Sequence, residues 1–309
     1  MHPIIKVTNL SKHFREFKAV DNLSFTVNEG DIYGFLGQNG AGKSTTIRML
    51  LTLIEPSQGE IEMFGMNLFT HRKEILKQTG AVIEKPDVYK YLSAYENLQL
   101  FSKISGGNVL TKAQLLDRLE TVGLKDRAFS KVKTFSQGMK QRLGIAVALV
   151  HDPELIILDE PSNGLDPQGI ADMRNMILQL KELGKTILIS SHLLSEIELV
   201  ANRMIIIHKG KKVIEGNVNE LLDPSDTIVK VETTDDSTAR TIISQLDFIS
   251  LLPDSNSIRI KMNKKDVPAI VQEISQAGLG IISVQSRHSL EDYFISLTNP
   301  ELNVEPVLY

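Results

Sequence analysis

Gly37-Gln38-Asn39-Gly40-Ala41-Gly42-Lys43-Ser44-Thr45 is the stretch on which the reading of this chain turns. It matches G-x-x-x-x-G-K-[ST], in which glycines let the backbone turn its N–H groups inward around a polyphosphate. Lys43 is then set against the β- and γ-phosphates, and the Ser44 hydroxyl becomes a ligand for Mg²⁺. The flanks agree with that geometry, because Asp31 to Leu36 reads as a short buried strand and Ser44 to Ile54 as a helix. Phosphates held here lie at a helix N-terminus, where unpaired donors and the macrodipole favour anions. Every residue from Gly37 to Thr45 is therefore a candidate for binding a nucleoside triphosphate.

Outward from the loop, residues 1–222 alternate short apolar strands with helical patterns, as a parallel α/β core requires. Leu155 to Leu158, Thr186 to Ser190 and Met204 to His208 are nearly continuous apolar runs, suited to a sheet covered on both faces. Between residues 86 and 150 the pattern becomes helical, including Ala113 to Val122 and Gln137 to Val150, and reads as a helical subdomain inserted into a P-loop NTPase core. Asp223-Pro224-Ser225 reads as a linker. Beyond it, residues 226–298 follow the order β-α-β-α-β with room for a further strand at Phe248 to Leu252 and a final helix at Leu290 to Leu297. That order predicts a small ferredoxin-like α+β domain, with residues 299–309 as a tail.

Composition narrows the function classes. The chain has 309 residues, a net charge of −4 and interspersed Lys/Arg and Asp/Glu, which points to no nucleic-acid surface. The absence of cysteine removes disulfides, thiol catalysis and zinc thiolate sites together. Met1 to Lys6 lacks the apolar core of a signal peptide, and no apolar run approaches the roughly 20 residues needed to span a bilayer. The expectation is a soluble, cytoplasmic chain that reaches a membrane only through a partner.

Leu155-Ile156-Ile157-Leu158-Asp159-Glu160 presents an apolar strand ending in two carboxylates. Hydrolysis of a phosphoanhydride needs a Mg²⁺ ligand at the strand end and a base beside the attacking water, and adjacent acids can supply both. Asp159 is the candidate metal ligand and Glu160 the candidate base. Upstream, Ser136-Gln137-Gly138-Met139 opens the helix Gln137 to Val150, where a Ser at the N-cap is ordinary capping chemistry and equally an anion site.

In Phe135 to Met139 the chain resembles the nucleotide-binding subunits of ABC transporters, whose signature L-S-G-G-Q stands here as Phe-Ser-Gln-Gly-Met. Asn163-Gly164-Leu165-Asp166-Pro167 is similar to that family's D-loop, and Ser190-Ser191-His192 to its switch histidine. The resemblance covers the first domain, with the motifs in the family's order. It implies that His192 contacts the γ-phosphate, that Phe14 stacks on adenine, and that Asp166 belongs to the nucleotide site. Phe14 is also compatible with a core aromatic, and a lone histidine at a strand end with packing. The resemblance further implies that Ser136 and Gly138 of one subunit cover the ATP held by another. One chain carries one loop and one signature, so a homodimer is expected.

The family's Q-loop glutamine corresponds here to Glu84, within Thr79 to Pro86. A carboxylate can still ligate Mg²⁺, but it adds negative charge near the γ-phosphate and donates no hydrogen bond unless protonated. Val82-Ile83-Glu84-Lys85-Pro86 is similar to the bacitracin-export and lantibiotic-immunity branch. The expected function is an ATPase subunit, using ATP and Mg²⁺, that powers a separate membrane permease, with export favoured over import. Two other classes compete with it: a soluble ABC-type ATPase acting on nucleic acid, ribosomes or a scaffold, and a nucleotide-binding regulator with little turnover.

Overall fold

All six residues of Ile32–Gly37, the strand that feeds the phosphate loop, are buried. Such a strand needs partners on both edges and cover on both faces. The computed structural model describes residues 2–105, 109–223, 227–246, 249–252, 258–288 and 294, and it supplies both. It divides the chain into two units, Met1–Asn217 and Val218–Tyr309.

In chain order the first unit runs β1 (Pro3–Phe14), β2 (Phe17–Asn28), β3 (Ile32–Gly37), α1 (Lys43–Leu50), β4 (Gln58–Met63), β5 (Met66–Asn67), α2 (Arg72–Lys77), β6 (Thr79–Val82), α3 (Ala94–Ile104), α4 (Lys112–Thr121), α5 (Gln137–Ala148), β7 (Leu155–Asp159), α6 (Pro167–Glu182), β8 (Thr186–Ser191), α7 (Leu194–Ile197), β9 (Arg203–His208) and β10 (Lys211–Asn217). The main sheet has the order β10-β9-β3-β8-β7-β6. Strands β9, β3, β8, β7 and β6 are parallel, and β10 closes the edge antiparallel to β9. The loop after β3 therefore opens beside the ends of β7 and β8, where the sequence sets its acids and histidine.

A second, antiparallel sheet ordered β2-β1-β4-β5 covers one face of the first. The alternation of strands and helices does not announce this layer. Its two long strands shift register between Pro3 and Ile5, Val7 and Leu10, and Leu10 and Lys12, and each bulge interrupts the two-residue apolar period that would mark a strand. Ile5, Val7, Leu10, Val20, Phe25 and Val27 pack in one cluster with Tyr33, Phe35, Leu155, Ile157, Leu188 and Ile205 of the parallel sheet, and with Ile47 and Leu50 of α1. Each such side chain contributes about 1.5–3 kcal/mol by leaving water. The base of the phosphate loop is thus anchored from two layers.

Helix α1 ends at Leu50, short of the expected Ile54, because Thr52 adopts a left-handed φ of 57° that no α-helix continues through. Between β6 and β7 lie α3, α4 and α5, the expected helical insertion. Two capping boxes fix its first helices, Ser93 with Glu96 on α3 and Thr111 with Gln114 on α4. Helix α5 crosses so close to Pro86 that a Cβ on Gly144 would lie 2.6 Å from the proline Cβ.

The second unit runs α8 (Val218–Leu221), β11 (Thr227–Thr233), α9 (Asp236–Ile243), β12 (Ser250–Leu251), β13 (Ile258–Met262), α10 (Val267–Gln276) and β14 (Ile281–His288). Its sheet has the order β12-β13-β11-β14 with antiparallel neighbours. Val229, Val231, Ile258 and Ile260 pack with Ala239 and Ile243 of α9 and with Ile270 and Ile274 of α10. Pro224 and Ser225 of the expected linker, Phe248, all of the expected helix Leu290 to Leu297 except Phe294, and the tail 299–309 lie outside the described residues.

Candidate functional site

The loop's shape follows from its glycines. Gly42 caps α1 with φ 108°, and a Cβ there would meet the Ala19 carbonyl at 2.6 Å, so no other residue fits. Lys43, only 5% exposed, donates from Nζ to the carbonyls of Gly37 at 2.6 Å and Gln38 at 3.2 Å. The same Nζ lies 2.9 Å from Glu160 Oε1, a contact of charge without hydrogen-bond alignment. Ala41 is buried behind this turn, its N–H bonded to the Gln38 carbonyl at 3.0 Å.

The acids come from the end of β7. Asp159 is 1% exposed, and its Oδ1 accepts from the Ser190 hydroxyl at 2.6 Å. Its Oδ2 is buried with no hydrogen-bond partner. An unsatisfied buried carboxylate oxygen is expensive unless something positive completes it. Glu160 turns off the strand with φ 50°, and its N–H donates to the same Ser190 hydroxyl at 2.9 Å. This turn leaves the Glu160 carboxylate 2.6 Å from His192 Nδ1 through Oε2. Lys43, Glu160 and His192 therefore form a continuous line from the phosphate loop to the end of β8.

Gln38, Asn39, Gly40, Gly42, Lys43, Ser44, Thr45, Glu84, Asp159 and Glu160 line one cavity of about 720 Å³, within the range of small-molecule sites. The structure thus gathers most of the sequence-derived set. Glu84 adopts a left-handed φ of 55° and is ion-paired with Arg48 of α1. Among the described residues no group of three or more His, Asp or Glu could hold a metal by itself. Mg²⁺ is ordinarily held by one or two protein ligands plus phosphates and water. Ser44 and the unpartnered Asp159 Oδ2 are the fitting donors.

Four expected residues stand elsewhere. Phe14 does not line the cavity; it pairs across the β1–β2 hairpin with Phe17, lies 5.0 Å from Lys12 Nζ, and leaves the cavity wall to Phe17. The register of the hairpin, invisible in the sequence, decides between the two rings. Ser136 caps α5 by accepting from the Met139 N–H at 3.3 Å, and its neighbour Gln137, not Ser136 or Gly138, reaches the cavity. Asp166 caps α6, accepting from the Gly169 N–H at 2.8 Å. Sequence reasoning missed Arg48 and assigned no role to the hydroxyl of Ser190. The only available signal for Ser190 was its place beside the histidine.

A phosphate loop on the N-terminus of a buried-strand-to-helix turn, faced by paired acids from a neighbouring parallel strand, defines a P-loop ATPase. Comparison with known proteins carries this one step further. The chain belongs to the ABC transporter family, whose model, described as ABC transporter, matches residues 20–163. It is 44% identical over 302 residues to the bacitracin transport ATP-binding protein BcrA of Bacillus licheniformis, covering 96% of this chain and 98% of that one. It is 40% identical over 212 residues to the lantibiotic transport ATP-binding protein SrtF of Streptococcus pyogenes, covering 69% and 90%. An ATP-binding cassette of an ABC transporter, MJ1267 in its ADP conformation, superposes with a TM-score of 0.65 at 26% identity, over 72% of this chain and 96% of that one. The protein is an ATP-binding, ATP-hydrolysing cassette.

Proposed function

We propose that this cassette hydrolyses ATP between two copies of itself to energise a separately encoded membrane permease that exports an antibiotic- or peptide-like compound. The observation that carries the chemistry is the Glu160 carboxylate, joined to Lys43 at 2.9 Å and to His192 at 2.6 Å at the edge of the cavity. Lys43 binds the β- and γ-phosphates, and its contact with Glu160 is exchanged for phosphate oxygens when ATP enters. Glu160, so released, accepts a proton from the attacking water, while His192 orients that carboxylate and the γ-phosphate. Asp159 and Ser44 would hold Mg²⁺, which would supply positive charge against the triphosphate.

Ser136 and Gly138 of the second copy cover the nucleotide, so binding favours the closed pair and hydrolysis the open one. Among the described residues no helix is long and apolar enough to cross a membrane, and the proposed coupling gives the cassette a peripheral role on the cytoplasmic face through the permease. The exposed Tyr89 and Tyr91, ahead of α3, suit a groove for a permease helix. The names of the BcrA and SrtF relatives, bacitracin transport and lantibiotic transport ATP-binding proteins, support a peptide-antibiotic cargo. The β-α-β-β-α-β order from β11 to β14 and its sheet order support a ferredoxin-like accessory domain over residues 226–298, after a cassette of residues 1–222.

Steady-state hydrolysis of Glu160→Gln tests the chemistry. Turnover is expected to fall at least a hundredfold with ATP binding retained and the dimer accumulating. Equal rates in the two proteins would remove Glu160 from the mechanism. Failure to recover any multi-spanning protein in a pull-down from native membranes would remove the permease.

A further inference from the structure

Glu84 puts a third carboxylate on a cavity that already holds Asp159 and Glu160 and is shaped for a polyanion. The other two are answered within the site. Asp159 receives the Ser190 hydroxyl, and Glu160 faces Lys43 and His192. Glu84 is answered, among the described residues, by its ion pair with Arg48. The two residues come from different elements, Arg48 from α1 and Glu84 from the turn after β6. Their pairing therefore ties that turn to the helix that carries the phosphate loop.

We propose that Arg48 is a positioning residue for nucleotide binding: it supplies the counter-charge that lets a carboxylate stand at position 84 beside the triphosphate. This rests on reading the cavity as the Mg²⁺–ATP site. Three features favour the role. Arginine stays protonated at any working pH, so the neutralisation does not lapse. Arg48 lies one helical turn beyond Ser44, about 6 Å along the axis, so its guanidinium draws the carboxylate back from the phosphate end. The left-handed φ of 55° at Glu84 aims the side chain toward that partner and departs from the extended course of β6. With side chains 42% and 61% exposed, the pair contributes little to folding. Its consequence lies in the charge presented to the ligand.

The test is a double-mutant cycle on the full-length protein, read as the Kd for Mg²⁺–ATP in a fluorescence titration. Arg48→Met is expected to raise Kd roughly three- to tenfold at 0.15 M salt, the scale for one unscreened charge several ångströms from a polyanion. The penalty should shrink at 0.5 M salt, which a packing defect would not do. Adding Glu84→Gln should bring Arg48→Met back within about twofold of Glu84→Gln alone, because no carboxylate remains to neutralise. Arg48→Gln serves the same cycle if Arg48→Met does not fold. An unchanged Kd in the single variant, or an undiminished penalty in the double, overturns the proposal. Lys43→Ala separates the two levels: a wild-type chain that binds no more ATP than Lys43→Ala sinks the nucleotide site and this proposal together. Lys43-dependent binding with an inert Arg48 sinks this proposal alone.

Discussion

Replacing Ser190 by alanine removes one hydroxyl, yet two groups lose their partner. The oxygen donates to Asp159 Oδ1 at 2.6 Å and accepts from the Glu160 N–H at 2.9 Å, and Ser190 is fully buried. A hydrogen bond to a charged group contributes about 1.5–3 kcal/mol, and a buried donor left unmade costs about 1–3 kcal/mol. Asp159 Oδ2 is already unpartnered, so the carboxylate would keep no hydrogen bond from its surroundings. The expected loss is about 2–4 kcal/mol in the nucleotide-free protein, after allowing for partial relaxation. At about 2–4 °C per kcal/mol for a unit of this size, the melting temperature should fall by roughly 4–16 °C. Scanning calorimetry measures this directly. Hydrolysis supplies a second readout, because Glu160 loses the bond that fixes its backbone. kcat should fall about tenfold or more while the Kd for ATP changes less. Ser190→Thr keeps the hydroxyl and should recover most of both losses. A Ser190→Ala protein that melts within 1 °C of wild type and turns over at the same rate would refute the reasoning.

Gly42→Ala should abolish ATP binding by titration, since the new methyl meets the Ala19 carbonyl at 2.6 Å on a backbone held at φ 108°; retained binding would show that the loop can shift. Phe17→Ala should weaken binding of adenine nucleotides about two- to tenfold, the scale of one aromatic contact, while Phe14→Ala stays within about twofold; the opposite ranking would return the stacking role to Phe14. Glu96 is held at a pKa of about 2 by the Ser93 N–H and hydroxyl and by Lys131. Because that pKa is depressed, the capping box contributes fully above the unfolded carboxyl pKa and is lost only as pH falls through about 2. Carbon-detected NMR should find the Glu96 carboxyl ionised at pH 3.5, and a midpoint above 4 would contradict the cap geometry.

The phosphate loop could be read in the sequence because its parts are local. Nine consecutive residues carry the turn, the lysine and the helix start, and backbone sterics alone force that shape. Asp159 and Glu160 were legible for a related reason, since an apolar strand that runs out into two adjacent carboxylates is a local pattern. Glu84 was visible as a departure from a pattern, although its partner was not. The helical insertion and the parallel strands followed from periodicity, and the bulged antiparallel sheet did not because its period is broken.

What the sequence by itself determined is which chemical groups exist and in what order they meet the sheet. Only the tertiary structure decided which of them touch. Arg48 meets Glu84 across 36 positions and Ser190 meets Asp159 across 31, while strand register puts Phe17 and not Phe14 on the cavity wall. Those contacts depend on strand order, register and the angle at which a side chain leaves its element. Such quantities are fixed by packing the whole core at once, and no short stretch of chain contains them.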